Sequence, residues 1–335
     1  MILFPFSLVY GLITFFRNKL FDWGILPAKS FPFPVISVGN LSVGGTGKSP
    51  HVEYLIRLLQ NNYSVATLSR GYKRKTKGFV LADENTTVAE LGDEPLQFCS
   101  KFENIKVAVD EKRKRGISKL KIQFPETEVV LLDDAFQHRY VKPGLSILLT
   151  DFHRLYINDY PLPTGNLREF RNGAKRADII IVTKTSKVLS PITRQRLFEE
   201  IKPLPRQKLY FSYIDHGKFT PLPGIDFVPE KKKKYYSILL VAGIANTYPL
   251  EFYLRKVCEE LEILTFPDHH QYTSKDIIHI IETFDNIVSR NKIIVTTEKD
   301  SMRFAQNGII NKLVRYPMCY VPIEIKFHGN DKRIR

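Results

Sequence analysis

Short apolar runs alternate with amphipathic stretches along most of the chain. The runs are rich in Val, Ile and Leu, which is typical of strands that a sheet buries on both faces. They lie at 35–38, 65–68, 79–81, 105–109, 129–132, 145–149, 179–182 and 208–213. Helical stretches separate several of them, notably 51–59, 94–102 and 111–121. The alternation predicts an α/β fold in which helices cover both faces of a mostly parallel sheet.

A second, smaller α/β lobe is expected in the C-terminal part of the chain. A polar, proline-containing stretch leads there into the lysine run 231–234, which is typical of a solvated loop, with contact to anionic lipid as the alternative. The elements predicted beyond it are strands at 237–242 and 292–297 and helices at about 249–261 and 274–284. A last strand candidate, 320–327, could pair with 208–213 as a connection between the lobes. We therefore expect a core over 25–215 and a smaller lobe over 216–335.

Residues 1–24 are expected to form a separate N-terminal helix. The first sixteen residues carry no charged side chain, and Arg17 and Lys19 follow them, with aromatic residues close by. A secretory signal places its positive charge before the apolar stretch, and a membrane-spanning helix needs about 20 apolar residues. A helix lying in the membrane interface fits better, with Arg17 and Lys19 facing lipid phosphates. The alternative is an N-terminal helix packed on the domain.

Composition narrows the class of protein and the kind of partner. With 43% hydrophobic and 25% charged residues, the 335-residue chain is neither disordered nor fibrous. Its 3 cysteines are far apart, which argues against a disulfide scaffold or a cysteine zinc site and suits a reducing cytosol. A net charge of +15 attracts nucleic acid, anionic lipid or phosphorylated substrates. No nucleic-acid-binding motif is present, so we expect no nucleic-acid partner.

A Gly-rich loop, GNLSVGGTGKSP at 39–50, joins the first strand to a helix. It ends like the phosphate-binding pattern G-x-x-x-x-G-K-[ST], with a serine in place of the first glycine. Glycines let successive N–H groups converge on phosphate oxygens, and the helix N-terminus faces the same anion. The residues predicted to hold the nucleotide are Ser42, Val43, Gly44, Gly45, Thr46, Gly47, Lys48 and Ser49. Lys48 would reach the β- and γ-phosphates and Ser49 would ligate Mg²⁺; the alternative is a turn that binds nothing.

A second acidic motif follows the strand predicted at 129–132. Asp133 and Asp134 stand where a Walker B acid is expected, so one of them would hold Mg²⁺ directly or through water. The other would support it or act as a base, and a helix cap is the structural alternative. An Asn-Lys-x-Asp guanine motif is missing, since neither 183–185 nor 297–300 matches it. ATP is therefore favoured over GTP.

Several polar clusters remain once the nucleotide is placed. Asp93, in GDEP, is a helix N-cap or a general base, and Glu94 could join the metal site. The run RGYKRK at 70–75 is a phosphate-recognising loop or a solvated one. The further candidates at strand ends or in loops are Gln137, His138, Arg168, Glu169 and the His269-His270 pair. Open α/β sheets bind ligands beyond the carboxyl ends of their strands.

The chain resembles the tetraacyldisaccharide 4'-kinases, also called lipid A 4'-kinases, over nearly its whole length. The matching segments are SVGNLSVGGTGKSP (37–50), SRGYKRK (69–75), GDEP (92–95), LDDAFQHR (132–139), LREF with GAKRAD (167–178), AGIAN (242–246), FPDHH (266–270) and TEKD (297–300). The serine at the first P-loop position is the family's own variant. The combination of GDEP, DDxFQHR and PDH is much more specific than a P-loop alone.

The resemblance implies transfer of the γ-phosphate of ATP to the 4'-hydroxyl of a tetraacylated glucosamine disaccharide 1-phosphate, in lipid A synthesis. It implies two α/β lobes with the site between them, at the cytoplasmic face of the inner membrane. Asp93 and His269 match a catalytic pair, with His269 chosen over its neighbour because it directly follows Asp268. Asp133, Asp134 and Glu94 match acidic positions around Mg²⁺.

The mechanism that follows is a hypothesis about side-chain roles. Lys48 and the loop amides would neutralise the transferring phosphoryl group, and Asp93 would take the hydroxyl proton. The candidates for holding the sugar or its 1-phosphate are Arg70, Tyr72 and Arg168, with Asn40, Gln137, His138 and Glu169 beside them. The rival is a membrane-associated P-loop ATPase that acts as a nucleotide-dependent switch. A metal-insertion GTPase is disfavoured, and the oligomeric state stays open, with a monomer plausible.

Overall fold

The protein was analysed as a computed structural model that describes residues 3–222, 224–229, 234–244, 246–268, 270–304 and 309–329. The chain divides into two compact units. The first comprises 1–214 and 325–335, and the second comprises 215–324. Each unit is built on its own sheet.

The first unit contains helices and strands in alternation. Its helices are α1 (Phe4–Asp22), α2 (Lys48–Leu59), α3 (Val88–Leu91), α4 (Asp93–Lys101), α5 (Arg113–Gln123) and α6 (Pro191–Ile201). Its strands are β1 (Val35–Asn40), β2 (Val65–Ser69), β3 (Val80–Leu81), β4 (Lys106–Val109), β5 (Val129–Asp133), β6 (Leu145–Asp151), β7 (Ile179–Thr183) and β8 (Lys208–His216). A final strand, β14 (Ile323–Phe327), joins the same sheet.

In the described part of the chain this sheet has nine strands, in the order β14-β8-β7-β6-β1-β5-β2-β4-β3. Neighbours from β8 to β4 pair in parallel, whereas the short β3 pairs antiparallel with β4. The strand that enters the Gly-rich loop, β1, lies between β5 and β6. The loop therefore opens at the carboxyl edge of the sheet near its middle, where open α/β sheets bind ligands.

Successive residues of the central strands face opposite sides of this sheet, which explains their continuous apolar runs. Val129 and Leu131 pack in one cluster with residues of α2 and α4. Val130 and Leu132 pack in another cluster with residues of α5. Helices therefore cover both faces of a mostly parallel sheet, and the predicted fold class is confirmed.

The second unit repeats this plan on a smaller scale. Its helices are α7 (Tyr248–Leu254), α8 (Ser274–Asn286) and α9 (Glu298–Phe304). Its strands are β9 (Thr220–Pro221), β10 (Ser237–Ala242), β11 (Glu260–Thr265), β12 (Lys292–Thr297) and β13 (Met318–Val321). They form a sheet in the order β11-β10-β12-β13-β9, in which β9 is the antiparallel edge. Residues of α8 and α9 pack on one face and residues of α7 on the other.

Two sequence-based element predictions in this region are wrong. The helix predicted over 249–261 ends at Leu254, and the missed strand β11 begins at Glu260. Its sequence, ELEILT, alternates charged and apolar residues because β11 lies at the edge of its sheet. The strand predicted over 320–327 is in fact two strands in different sheets, β13 and β14, separated at Pro322. Proline lacks the N–H that a continuous ladder needs.

Candidate active site

The Gly-rich loop has the backbone that its sequence predicts. β1 ends at Asn40 and α2 begins at Lys48, so the residues between them form the turn. Gly44 and Gly47 have φ angles of +102° and +85°, which only glycine adopts easily. Pro50 lies in the first turn of α2, where a missing N–H has no intrahelical cost. The loop therefore presents the N-terminus of α2 at the carboxyl edge of the sheet.

Lys48 lies between a buried amide and an acidic strand end. Its Nζ is 3.4 Å from Asn40 Oδ1 and 3.7 Å from Asp134 Oδ1, and its side chain is only 11% exposed. Asn40 is fully buried at the end of β1. Asn40 Oδ1 thus supports Lys48, while Asn40 Nδ2 is buried without a hydrogen-bond partner among the described residues, and the predicted contact of Asn40 with the acceptor stays a prediction.

The two acids at the carboxyl end of β5, Asp133 and Asp134, have opposite environments. Asp133 is 1% exposed, and its Oδ1 has no hydrogen-bond partner among the described residues. Burial, together with the charges of Glu94 and Asp134, raises the pKa of Asp133 to about 7. Asp134 has a positive φ of 47°. Burial opposes its ionisation, but Lys48 and the arginines Arg168 and Arg113 outweigh it and lower its pKa.

These acids fit a divalent cation that is bound mainly through phosphate and water. The orphaned Oδ1 of Asp133 and the anionic Asp134 are the hard oxygen donors that Mg²⁺ prefers. Among the described residues, no group of three or more His, Cys, Asp or Glu side chains is arranged to hold a metal ion. Mg²⁺ typically takes one or two carboxylates plus substrate phosphates, so this smaller donor set suffices.

Arg168 and Glu169 have different partners despite being neighbours. Arg168 Nη1 lies 2.9 Å from Asp134 Oδ1, at the edge of the phosphate site. Glu169 is buried and accepts two hydrogen bonds from Arg176, at 2.7 and 2.9 Å. It also accepts one from Asn18 of α1, at 2.6 Å. Glu169 therefore ties α1 to the core, and its predicted place beside the substrate stays a prediction.

The basic loop after β2 packs directly on the start of α4. A Cβ at Gly71 would lie 2.8 Å from the carbonyl oxygen of Leu91, and a Cβ at Gly92 would lie 2.8 Å from that of Tyr72. Both glycines have positive φ, so the two backbones approach as only glycine allows. Gly92 is the N-cap of α4, which places Asp93 at the first helical position instead of at the cap. The structure thus brings GDEP and RGYKRK together.

Arg113 is a site residue that the sequence analysis missed. It begins α5, is 3% exposed, and donates from Nη1 to the carbonyl oxygens of Asp110 and Glu111 at 3.4 and 3.3 Å. Burial lowers its pKa to about 10, against the opposing charges of Asp134 and Asp133. Its position just after β4 was the available signal, because the other site residues also follow strand ends.

His138 lies within a group of cations. Burial, together with the nearby guanidinium groups of Arg113, Arg17 and Arg70, lowers its pKa to about 4. Its Nε2 is buried without a hydrogen-bond partner among the described residues. A neutral imidazole surrounded by three arginines is an environment suited to an anion.

Helix α1 contacts the core through small and polar residues and through one buried aromatic ring, that of Phe21. Ser7 Oγ lies 2.6 Å from Thr164 Oγ1, and Gly11 packs against the Phe170 ring. Arg17 donates to the carbonyl oxygen of Gln137, so it reaches the core. The large apolar side chains that face solvent are Phe4, Phe6, Leu8, Val9, Leu12, Ile13, Phe16 and Trp23. Among the described residues, no helix is both long and apolar enough to cross a membrane.

Some predicted features fall outside the described residues, namely His269, Ala245 of the AGIAN segment and positions 231–233 of the lysine run. The neighbouring His270 is described. Its Nε2 lies 3.1 Å from Asp276 Oδ2 in the first turn of α8, and its ring stacks on Phe266.

A glycine loop that carries a lysine between a buried strand and a helix, beside an acidic strand end, defines the P-loop class of α/β proteins, whose members bind nucleotide phosphates. The family model for LpxK, tetraacyldisaccharide-1-P 4'-kinase, matches residues 1–335. The chain therefore belongs to this family, which confirms the resemblance and the kinase activity predicted from the sequence.

Individual relatives agree with the family. The tetraacyldisaccharide 4'-kinase of Flavobacterium johnsoniae is 50% identical over 336 residues, which cover 99% of this chain and 94% of the relative. That of Bacteroides thetaiotaomicron is 46% identical over 340 residues, covering 98% and 90%. The crystal structure of "apo" form LpxK from Aquifex aeolicus in complex with ATP has a TM-score of 0.76 and 30% identity, covering 98% of this chain and 95% of that one.

Proposed function

We propose that the chain transfers the γ-phosphate of Mg-ATP to the 4'-hydroxyl of a tetraacylated glucosamine disaccharide 1-phosphate, at the cytoplasmic surface of the membrane. The observation that carries the proposal is the convergence of Lys48, Asp133 and Asp134 at the carboxyl edge of the first sheet. A phosphate-binding loop, an acidic pair and a cationic cluster lie around that edge. Phosphoryl transfer needs these parts because it is largely positioning and charge neutralisation.

The nucleotide end of the site would be formed by the loop at 42–49. Its backbone N–H groups and Lys48 would bind the phosphates, and Asn40 would keep the Lys48 ammonium in place. Ser49 and the acids Asp133 and Asp134 would hold Mg²⁺. When bound, Mg²⁺ neutralises charge on the phosphate oxygens.

The acceptor end would use the groups around α4 and His138. Asp93, at the first position of α4, is the proposed base for the hydroxyl proton, and Glu94 lies close enough to Asp133 to raise the pKa of Asp133. His269 is the proposed catalytic partner of Asp93 and would orient its carboxylate. The arginines around His138 would attract the acceptor's phosphate. The exposed Tyr72 would contact the sugar, since aromatic rings commonly pack on apolar ligand surfaces.

Helix α1 would bring the enzyme to its lipid substrate. It docks on the core by small and polar residues and by Phe21, and leaves most of its large apolar side chains in solvent, whereas an ordinary surface helix buries its apolar face. An apolar face of this kind is stable when it is buried in the headgroup region of a bilayer. The net charge of +15 favours an anionic surface.

The assignment is tested by incubating the protein with Mg-ATP and the acylated disaccharide 1-phosphate in mixed micelles. We expect phosphate on the 4'-oxygen, with rates about 10²- to 10⁴-fold lower for Asp93→Ala and at least as low for Lys48→Ala. Glu103→Ala, which removes an exposed carboxylate just beyond α4, should keep the wild-type rate. Full turnover by Asp93→Ala at saturating substrate would reject it as the base. ATP hydrolysis that is independent of acceptor, without 4'-phosphate, would instead favour the nucleotide switch.

A further inference from the structure

Three consecutive backbone carbonyl groups of the phosphate loop, those of residues 45–47, are each bound by a side chain from beyond the loop. Lys184 Nζ donates to the first of them. Thr183 Oγ1 donates to the second at 2.9 Å. His51 Nδ1 lies 2.7 Å from the third. Every peptide group between Gly45 and the start of α2 is thus held by a side chain through its carbonyl oxygen.

The peptide geometry converts these contacts into an orientation of the loop's N–H groups. In a planar trans peptide, the carbonyl of one residue and the N–H of the next point in opposite directions. Carbonyls fixed at residues 45–47 therefore direct the N–H groups of residues 46–48 to the other side. Those N–H groups are what a phosphate loop offers to its anion.

The side chains of Thr183, which ends β7, and of Lys184, which follows it, are themselves held in place. Thr183 is the last residue of β7 and is buried, and its hydroxyl also lies 3.3 Å from the carbonyl oxygen of Thr150. Lys184 has a φ of +57°, which is uncommon for a residue with a side chain. Its Nζ pairs with Asp151 Oδ2 at 2.7 Å. A strained backbone of this kind persists only where surrounding contacts favour it.

The contact from His51 defines its tautomer. A carbonyl oxygen can only accept, so Nδ1 carries the proton that is donated to Gly47. Nε2 then accepts a hydrogen bond from Ser212 Oγ, at 2.9 Å, and Ser212 lies in β8. Burial lowers the pKa of His51 to about 4, so the imidazole is neutral at physiological pH. The P-loop is thereby connected to β8 through one histidine.

We propose that Lys184, Thr183 and His51 are positioning residues that hold the phosphate loop in its binding conformation before the nucleotide arrives. The inference rests on the proposed nucleotide site at 42–49. A loop that is already ordered loses less conformational entropy on binding, and the saving is expressed as affinity. Loss of one of these contacts should therefore weaken nucleotide binding and leave acceptor binding unchanged.

The sharpest test removes one hydroxyl group. Thr183→Val deletes it with little change of volume, and Thr183→Ser retains it. Thr296→Val is the matched control, because Thr296 is also buried at a strand end and its Oγ1 donates to the carbonyl oxygen of Val241 at 2.8 Å, in the second unit. The measurements are calorimetric Kd for a non-hydrolysable ATP analogue, KM for the acceptor, and Tm.

We expect Thr183→Val to raise the Kd of the ATP analogue about five- to ten-fold, with an unchanged acceptor KM. Thr183→Ser should stay within about two-fold of wild type, and so should Thr296→Val although its Tm falls as much. Lys184→Met should behave like Thr183→Val, with Lys184→Arg as its conservative partner. Lys184 is partly exposed, so its variants should disturb folding less. They therefore replace Thr183→Val in the test if that variant does not fold.

A Kd within about two-fold of wild type for Thr183→Val, or for Lys184→Met in its place, would overturn the inference. An equal loss of affinity in Thr296→Val would overturn it too, since that loss would reflect stability alone. Lys48→Ala separates this outcome from failure of the proposed site. If Lys48→Ala binds the analogue normally, the nucleotide site itself is misplaced. If only Lys48→Ala loses affinity, the site stands and the positioning role is rejected.

Discussion

Asp133 and Asp300 are both buried aspartates at the carboxyl edge of a parallel sheet, but the fold treats them differently. Asp300 follows β12 and accepts hydrogen bonds from Gly243 N at 3.0 Å, Thr297 Oγ1 at 2.6 Å and Arg303 Nη1 at 2.7 Å. Asp133 ends β5 with an oxygen that has no partner in the described part of the chain. The carboxylate of Asp300 is paired within the protein, whereas that of Asp133 has an oxygen that can still accept a hydrogen bond or ligate a cation.

The difference indicates which polar groups serve the fold and which serve a ligand. An unpaired buried carboxylate costs free energy, so a protein keeps one where something else completes it. The raised pKa of Asp133, caused by burial and by Glu94 and Asp134, expresses that cost. Strongly perturbed acids of this kind cluster at functional sites.

The largest effect should come from breaking the paired carboxylate. Asp300→Ala removes the carboxylate that pairs with the buried guanidinium of Arg303, and breaking a buried ion pair typically costs about 3–5 kcal/mol. We expect a pronounced loss of Tm and of resistance to urea. Asp226→Ala, at a position outside the helices and strands of the same unit, should unfold like wild type. A loss under about 1 kcal/mol for Asp300→Ala would show that the pair does not stabilise the unit.

The unpaired carboxylate should instead make stability depend on pH. The folded-state pKa of Asp133 is about 7, above its ordinary value of 3.8, so between these values the folded state retains a proton that the unfolded state releases. Asp133 by itself therefore makes the ligand-free protein less stable as pH rises through that window, by at most about 1.4 kcal/mol per unit. Below about pH 6.5 this contribution opposes that of His51 and His138, whose lowered pKa values make stability rise with pH. Asp134, whose pKa is lowered, contributes only when pH falls below the window.

Urea unfolding at about pH 5, 6 and 7 measures this slope. Asp133→Asn stays neutral, so its stability should rise with pH more steeply, or fall less, than that of the wild type, while Glu103→Gln, at an exposed site, should leave the wild-type slope. Identical pH profiles for wild type and Asp133→Asn would mean that Asp133 is ionised throughout, and the contrast with Asp300 would disappear.

The sequence predicted best those parts whose physics is local. The runs of β5 and β7 are apolar throughout because both faces of the central sheet are covered, so their pattern is unambiguous. Gly44 and Gly47 were predictable because their positive φ restricts the residue type. The edge strand β11 was missed, since its alternating residues also fit the end of a helix.

Site residues were harder to assign where their role depends on a distant partner. Arg113 lies in a run of charged residues, DEKR, that is typical of a solvated surface, and only the fold places it near Asp133. Glu169 is of a residue type that often binds ligands, but its carboxylate accepts hydrogen bonds from Arg176 and Asn18 within the protein. Sequence gives the type of a side chain, whereas the burial and the partner that decide its use come from tertiary structure.

The smallest predicted effect extends the same contrast to apolar groups. The solvent-facing side chains of α1 leave a contiguous apolar surface exposed to water, just as Asp133 leaves one oxygen without a hydrogen-bond partner among the described residues. Ile13 is 63% exposed, and its insertion into a bilayer interface would contribute about 1.4 kcal/mol, below the value for full burial. Ile13→Ser should therefore bind vesicles containing phosphatidylglycerol about ten-fold more weakly, with little change of Tm because most of the side chain is already in solvent.

Ile192 provides the matched control, since it is 82% exposed on α6 and its side chain is likewise mostly in solvent. Ile192→Ser should bind the same vesicles like wild type, because an isolated apolar side chain is ordinary on a protein surface whereas a contiguous face is not. Wild-type binding by Ile13→Ser would remove α1 from the membrane contact. Equal losses in the two variants would show that the vesicles respond to surface hydrophobicity in general, and the exposed face of α1 would then have no specific partner.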